Sequence, residues 1–330
     1  MAEVRLSVVA AGLSWVQDLG RYQGSQFGLP VGGSSDQYSA CCANILVGNT
    51  RNAPLIEITS SGMSMVPDAD ILIAVTGAVA DLEVDGLTRP QWTPTVVAAG
   101  HRIEVSAPRR GARTYLAVSG RIQAPVFYGS VCPDRSLGIG WMLQPGDVVT
   151  VESSFAMFDH PATGHPVFRP PVTPIRPGPP WPIRVVPGPH WDSCGDPRRW
   201  LLGSPYEVEY PSDTVGLRLR GAGGGQRTGE RISRGVPIGA VEMPSGGGRL
   251  LVLLRGRMLT AGYPIPVVTA SVDHGRLGQL SPGDLVRFQL VRRTDAVRHR
   301  HAQATELDRL TTTVAAMFEA AGLRPSSGRR

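Results

Sequence analysis

Between Asp159 and Pro182 nine of 24 residues are proline, at positions 161, 166, 170, 171, 174, 177, 179, 180 and 182. Proline fixes φ and has no N–H to give, so neither a helix interior nor a central strand can run through such a stretch. The chain of 330 residues is therefore expected to divide into an N-terminal domain (1–160), a proline-rich linker (161–182), a C-terminal domain (183–292) and a basic extension (293–330). Within both domains the apolar segments are short and cut by glycine and proline: Ile71-Leu-Ile-Ala-Val-Thr, Thr114-Tyr-Leu-Ala-Val, Leu250-Leu-Val-Leu-Leu and Leu285-Val-Arg-Phe-Gln-Leu. That spacing predicts a mostly β chain built as barrels or sandwiches. Both domains also end alike, on Gln144-Pro-Gly-Asp-Val-Val-Thr-Val and Ser281-Pro-Gly-Asp-Leu-Val-Arg-Phe, each a turn feeding an alternating strand.

Two helices stand out. Asp36 to Val47 has capping residues at Ser34, Ser35 and Asp36, an apolar face of Tyr38, Cys41, Cys42, Ile45 and Leu46, and Gly48 as its stop. Ala302 to Ala321 carries Leu307, Leu310, Val314, Met317 and Phe318 at helical spacing before Gly322. The segment from Val291 onward holds eight arginines against four acids, which accounts for four of the six net positive charges. It reads as a solvated or partner-docking extension, and the nearly neutral body argues against nucleic-acid binding.

The chain contains no lysine, so all 33 basic residues are arginine. This excludes Schiff-base chemistry, a phosphate loop ending in Gly-Lys and a self-carried biotinyl-lysine. With no apolar run of membrane-spanning length and no signal pattern at the N-terminus, a soluble cytoplasmic protein without a membrane partner is expected. Cys41, Cys42, Cys132 and Cys194 have neither disulfide-scaffold density nor metal spacing, and they read as buried, reduced thiols.

Several motifs fail on inspection. The run Gly221-Ala-Gly-Gly-Gly-Gln lacks the third fingerprint glycine and reads as a flexible loop. The stretch Asp81-Leu-Glu-Val-Asp-Gly opens like a calcium loop, but its twelfth position is Trp92 and it reads as an exposed strand and turn. No zincin or nucleophile-elbow motif is present, and no metal is expected. Asp18 before Leu-Gly reads as a turn former, and Glu57 in Leu-Ile-Glu-Ile-Thr as an exposed strand residue.

The ordered segments Val16-Gln-Asp-Leu-Gly-Arg, Gly28-Leu-Pro-Val-Gly-Gly-Ser-Ser-Asp36, Ala43-Asn-Ile-Leu-Val-Gly-Asn49, Tyr115-Leu-Ala-Val and Gly129-Ser are followed by Arg184-Val-Val-Pro-Gly-Pro, Ser212-Asp, Gly216-Leu-Arg-Leu-Arg-Gly, Ile238-Gly-Ala-Val and Thr260-Ala-Gly-Tyr-Pro. Together they resemble the biotin-dependent carboxyltransferase family, the group containing allophanate hydrolase subunit 2, KipA and the C subunit of bacterial 5-oxoprolinase. The resemblance spans about residues 5 to 292. It implies two cyclophilin-like β-barrel domains with few short helices, and the C-terminal helical extension lies outside it. It further implies a hydrolase subunit acting on a C–N amide bond, working with a KipI or allophanate hydrolase subunit 1-type partner on a small amide, or alternatively a non-catalytic KipA-like module that binds a KipI-type protein. ATP, and biotin carried by another protein, are the cofactors it allows.

Residue by residue, the match nominates Asp213, Tyr263, Thr260 and Asn44 for catalysis, and Arg218, Asp36, His190 and Arg257 for substrate binding. Arginine can hold a carboxylate by paired hydrogen bonds, Asn44 and Thr260 can donate to an oxyanion, and Asp213 or Tyr263 can handle a proton. The chain also departs from the pattern. Gly256, Met258 and Ile265 replace an aspartate, a glutamine and a lysine of one loop. His190 and Glu242 replace glutamines, while Thr214 and Trp141 replace arginines. An apolar Ile265 cannot neutralise a bound carboxylate or phosphate, so either another arginine, such as Arg257 or Arg234, does so, or the substrate differs, or the activity is lost.

Overall fold

The computed structural model describes residues 2–153, 169–175, 178–221, 232–244 and 248–321. Residues 161–168, 176 and 177 of the proline-rich linker, the glycine run after Gly221, and residues 322–330 with the helix stop read at Gly322 lie outside the described residues. By its contacts the chain forms two compact units. One comprises Met1–Gly20, Gln37–Ile175 and Thr305–Arg330, and the other Arg21–Asp36 and Arg176–Ala304.

The first unit holds two open antiparallel sheets. In the larger, seven strands run in the order Arg121–Ile122, Val148–Ser153, Ala2–Ala10, Met63–Pro67, Ile103–Val105, Leu82–Val84 and Leu87–Arg89. In the smaller the order is Ser14–Gln17, Leu55–Thr59, Arg110–Val118, Ile71–Val79 and Thr95–Val97. Alternation puts Val4, Leu6, Val149 and Val151 of the larger sheet, and Val16, Ile56, Ile73 and Leu116 of the smaller, into one shared core. Ile71–Val79 is buried on both faces. Its Ile71, Ile73 and Val75 enter the shared core, while Leu72 and Ala74 face the helix Gln37–Leu46.

Leu307, Leu310, Val314 and Phe318 pack into that same outer cluster with Ile45, Leu46, Tyr115 and Ala117. The C-terminal extension is thus no solvated appendage over these turns. Glu306 accepts the Tyr38 hydroxyl at 2.9 Å, and Arg51 Nη2 donates to Asp308 at 2.7 Å. Burial, then the Cys42 and Glu306 neighbours, push the Tyr38 phenol far up. The helix begins at Arg293, earlier than its apolar periodicity indicates, because the opening turns hold only Ala296 and Val297 as apolar residues and are supported by an Asp295–Arg298 pair three residues apart. Glu57 also departs from expectation. It is buried, accepts the Tyr115 hydroxyl at 2.8 Å, and lies 3.8 Å from Arg113 Nε.

The second unit is a closed seven-stranded barrel, in the order Trp181–Pro187, Val267–Thr269, Ala240–Glu242, Arg249–Leu253, Gly216–Arg220, Tyr206–Val208 and Leu285–Leu290. Leu285–Leu290 pairs antiparallel with Tyr206–Val208 and parallel with Trp181–Pro187, which completes the ring. Asp273, fully buried, takes a two-pronged bond from Arg184 and a further one from Arg276.

Only one barrel is closed among the described residues, so the expectation of two is wrong. The twin turns show why. In both, the aspartate carboxylate accepts the N–H three residues back, from Gln144 at 2.9 Å and Ser281 at 2.8 Å, and the glycines, Gly146 and Gly283, sit at φ 91° and 92°. Only glycine adopts that backbone without strain. The strand after the second turn meets both ends of its sheet. The strand after the first, Val148–Ser153, lies between Ala2–Ala10 and the two-residue Arg121–Ile122, and the opposite edge, Leu87–Arg89, is three exposed residues long. Short, exposed edges of this kind end a sheet instead of closing it.

Candidate functional site

In the first unit, segments far apart in sequence converge on a cleft of about 360 Å³. Strand Ser14–Gln17 delivers Asp18, which is buried and accepts three hydrogen bonds: from Gly20 N at 2.8 Å, Ser130 Oγ at 2.6 Å and Val131 N at 3.0 Å. Helix Gln37–Leu46 delivers Asn44 at its C-terminal end. Its Nδ2 donates to the carbonyls of Ala53, at 2.9 Å, and Arg51, at 3.3 Å, and its Oδ1 accepts from Asn49 Nδ2 at 3.2 Å. Asn49 in turn donates to Val118 O and accepts from Gly120 N, both at 2.8 Å. Asp18, Asn44 and Asn49 are therefore committed to holding the cleft's walls. Thr50 Oγ1, Asn52 Nδ2 and the Arg121 guanidinium also belong to residues lining the cleft, and they have no hydrogen-bond partner among the described residues. One cation, one amide donor and one hydroxyl suit a small polar molecule that carries a carboxylate beside an amide.

In the second unit, the strand pair Arg234–Gly235 and Thr260–Ala261 brings other nominated residues together. Arg257 is buried, its Nε donates to Val236 O at 3.0 Å, and its Nη1 has neither solvent contact nor a partner among the described residues. Burial, then the neighbouring Arg255, lowers the Arg257 guanidinium below its ordinary value. His190 Nδ1 accepts from Ile265 N at 2.9 Å, and its Nε2 lies 3.4 Å from Arg234 Nη1. Thr260 is exposed and Tyr263 half-buried on the same loop. In the same unit Glu242 is buried, with Oε1 unpartnered among the described residues, and desolvation raises its carboxyl to about 7.

The other nominated residues are placed differently. Asp213 is exposed and accepts from Val215 N and Gly216 N, while Arg218 Nε donates to Pro211 O, so both are engaged in the turn before Gly216–Arg220. Asp36 is fully buried and accepts from Gln279 Nε2 at 2.9 Å. Sequence reasoning missed Thr50, Asn52 and Arg121, whose shared cleft depends on folding that no local pattern announces. It also read Asp18 as a turn former, which its bond to Gly20 N satisfies but its bonds to Ser130 and Val131 exceed.

Four of the seven departures form two touching pairs. Gly256 N donates to Thr214 O at 2.9 Å, and a Cβ at Gly256 would lie 3.3 Å from Thr214 Oγ1. The missing aspartate and the missing arginine thus belong to neighbours. His190 and Ile265 exchange two bonds, and the Ile265 side chain, 1% exposed, packs with Val236, Ala240 and Leu253. Among the described residues no group of three or more His, Cys, Asp and Glu is placed to hold a metal ion, and no helix is long and apolar enough to cross a membrane.

Residues 27–290 match the family described as carboxyltransferase domain, subdomains A and B, and the chain belongs to that family. Among its relatives, the C subunit of 5-oxoprolinase from Escherichia coli (strain K12) is 30% identical over 316 residues, covering 92% of this chain and 97% of that protein. Urea amidolyase of Saccharomyces cerevisiae is 27% identical over 295 residues, covering 83% of this chain and 16% of that protein. The crystal structure of TTHA0988 superimposes with a TM-score of 0.75 at 32% identity, covering 86% of this chain and 55% of that chain. The chain thus spans nearly all of the first relative, about half of the solved chain and a small part of the amidolyase.

Proposed function

We propose that this chain is one subunit of a heteromeric amide-handling enzyme, akin to the C subunit of 5-oxoprolinase or to allophanate hydrolase subunit 2, a hydrolase active on a C–N amide bond only with a KipI or subunit 1-type partner. The observation that carries the reading is the convergence in the first unit. The segments around Asp18, Asn44 and Ser130, which bear the family resemblance, build one cleft whose Thr50, Asn52 and Arg121 retain unused polar groups. Both 5-oxoproline and allophanate carry a carboxylate next to an amide or ureido group. Arg121 would hold the carboxylate, and Asn52 and Thr50 would meet the amide. Asn44 would act as a positioning residue through the loop it ties. In the second unit Arg257 and His190 would bind a further anionic or ureido group, with Asp213, Arg218, Asp36, Thr260 and Tyr263 as the remaining candidates. Biotin, if used, would arrive on another protein, since the chain has no lysine to carry it. ATP would serve the 5-oxoproline reaction.

The test is reconstitution with the partner subunit, followed by assays of ATP-dependent glutamate formation from 5-oxoproline and ammonia release from allophanate. One of the two is expected. Arg121→Gln should raise KM about tenfold or more with a smaller change in kcat. An intact complex with neither activity would sink the enzyme reading.

A second reading, a non-catalytic KipA-like module that binds a KipI-type protein, is favoured by one observation. The loop that lost its aspartate and lysine now presents Met258, 66% exposed, near Ile265, which is sealed in apolar packing. Under this reading Asp213→Ala and Arg121→Gln leave partner binding unchanged, and Met258→Asp weakens it.

A further inference from the structure

A groove of about 330 Å³ in the second unit belongs to neither site described above. Its floor is apolar, formed by Val186, Ile238 and Val268, and one wall is a face of the long C-terminal helix carrying Arg293, Val297 and Arg300. These helix positions recur at intervals of four and three, so they share one face, with the arginines at its ends and Val297, beside Ala296, between them. Neither Arg293 nor Arg300 has an acidic partner among the described residues, and the only bond of Arg300 there is to Gln303 Oε1. The nearby acids are already engaged, Asp295 with Arg298 and Asp273 with Arg184 and Arg276. The groove lining includes no aspartate or glutamate. His274 Nε2 and Thr269 Oγ1, from residues that line the groove, are cut off from solvent and have no partner among the described residues. Burial and the Arg255 and Arg300 charges push the His274 imidazole down to about 4, opposed by its bond to the Thr269 backbone and by Asp273, so it is neutral near pH 7.

An apolar floor with unpaired cations at either end of one wall complements a molecule with an anionic group at each end and an aliphatic middle. The two arginines are seven residues apart, about 10 Å along the helix axis, and flexible side chains of their length can converge on carboxylates closer together than that. We propose that this groove binds an aliphatic α,ω-dicarboxylate, one carboxylate on Arg293 and the other on Arg300, with the methylenes on Val186, Ile238, Val268 and Val297. Both arginines lie beyond residue 290, where the family match ends. The floor residues lie within that match, and the groove shares no residue with the two sites proposed for the enzymatic reading, so it stands independently of that reading.

The experiment is calorimetric titration of the full chain, at low salt and without a partner subunit, using adipate as the probe and adipamide, hexanoate and inorganic phosphate as comparisons. The expected result is saturable one-to-one binding of adipate at millimolar concentration or below, at least tenfold tighter than hexanoate or phosphate, and no binding of neutral adipamide. Arg293→Gln combined with Arg300→Gln should weaken adipate at least tenfold. Both side chains are exposed, so this variant should keep its thermal midpoint. Val297→Asp, which places a carboxylate between the two arginines, should abolish binding. No adipate binding by the unsubstituted chain, binding unchanged in the double variant, or phosphate binding as tightly as adipate would each overturn the proposal.

Discussion

In the first unit the strand after the Pro-Gly-Asp turn, Val148–Ser153, runs antiparallel to Ala2–Ala10 within an open sheet. In the second, Leu285–Leu290 runs parallel to Trp181–Pro187 and closes a ring. The two turns share their hydrogen bonds and their glycine geometry, so the turn does not decide closure. What decides it is whether the next strand finds an unpaired edge at each side. The polar groups around the first unit's cleft and those of the second unit's candidate sites differ as well. Around the cleft of the first, Asp18 is held by Gly20, Ser130 and Val131, and Asn44 and Asn49 by each other and the surrounding backbone, while Gln17 Oε1 and Thr114 Oγ1 elsewhere in that unit are buried without partners among the described residues. In the second, Arg257 Nη1, Glu242 Oε1, His274 Nε2 and Thr269 Oγ1 are buried without partners among the described residues. Such groups carry a desolvation cost that a ligand or a proton can relieve.

The comparison breaks or sharpens most strongly on two aspartates. Asp18→Ala strips the acceptor from three donors around a buried position and should cost about 4 kcal/mol of first-unit stability. Asp213→Ala, at an exposed turn, should cost only about 1 kcal/mol. Urea midpoints of the two variants measure both, and equal losses would mean that the cleft is no more tightly built than an ordinary turn.

Glu242 tests the unsatisfied side. Its carboxyl is raised from the ordinary 4.5 to about 7, so the folded state binds the proton more tightly than the unfolded state. The resulting contribution to stability is fully present below pH 4.5, declines as pH rises, and is lost above about 7. Glu242→Gln keeps the shape without the charge. The variant should match the unsubstituted chain below pH 4.5 and be more stable above pH 7, by at most about 3 kcal/mol. A gap that is constant with pH would show that Glu242 is solvated or paired.

The smallest effect concerns the coupled departures. Gly256→Asp should destabilise modestly, because its Cβ would come 3.0 Å from Thr214 O. Adding Thr214→Arg should recover about 1 kcal/mol of coupling in a double-mutant cycle. Strict additivity would mean that the two positions changed independently.

The sequence made much of the local structure legible. The capping residues, apolar face and Gly48 located Gln37–Leu46 to within a residue at either end, and alternation located the strands that face a core. Closure was not legible, since an alternating strand reads the same whether its neighbour is an edge or a seam. The start of the terminal helix was hidden because Arg293–His301 holds only Ala296 and Val297, too few apolar positions to show a helical period. Glu57 was misread because its partner, the Tyr115 hydroxyl, comes from a strand 58 residues away. The nominated residues His190, Arg257, Thr260 and Tyr263 do gather on one loop system, held by pairings such as Arg234 with Ala261. The cleft in the first unit depends instead on Asp18 reaching Ser130 across 112 residues, a distance over which no motif carries information.

The four cysteines, none in a disulfide, are all buried, with Cys41, Cys42 and Cys132 in the first unit and Cys194 in the second. A thiol shut away from solvent reacts only when the structure around it opens. Alkylation followed by peptide mapping therefore reads two clocks in a single tube. The labels on Cys132 and Cys194 report how often each half of the molecule comes apart, without any added probe.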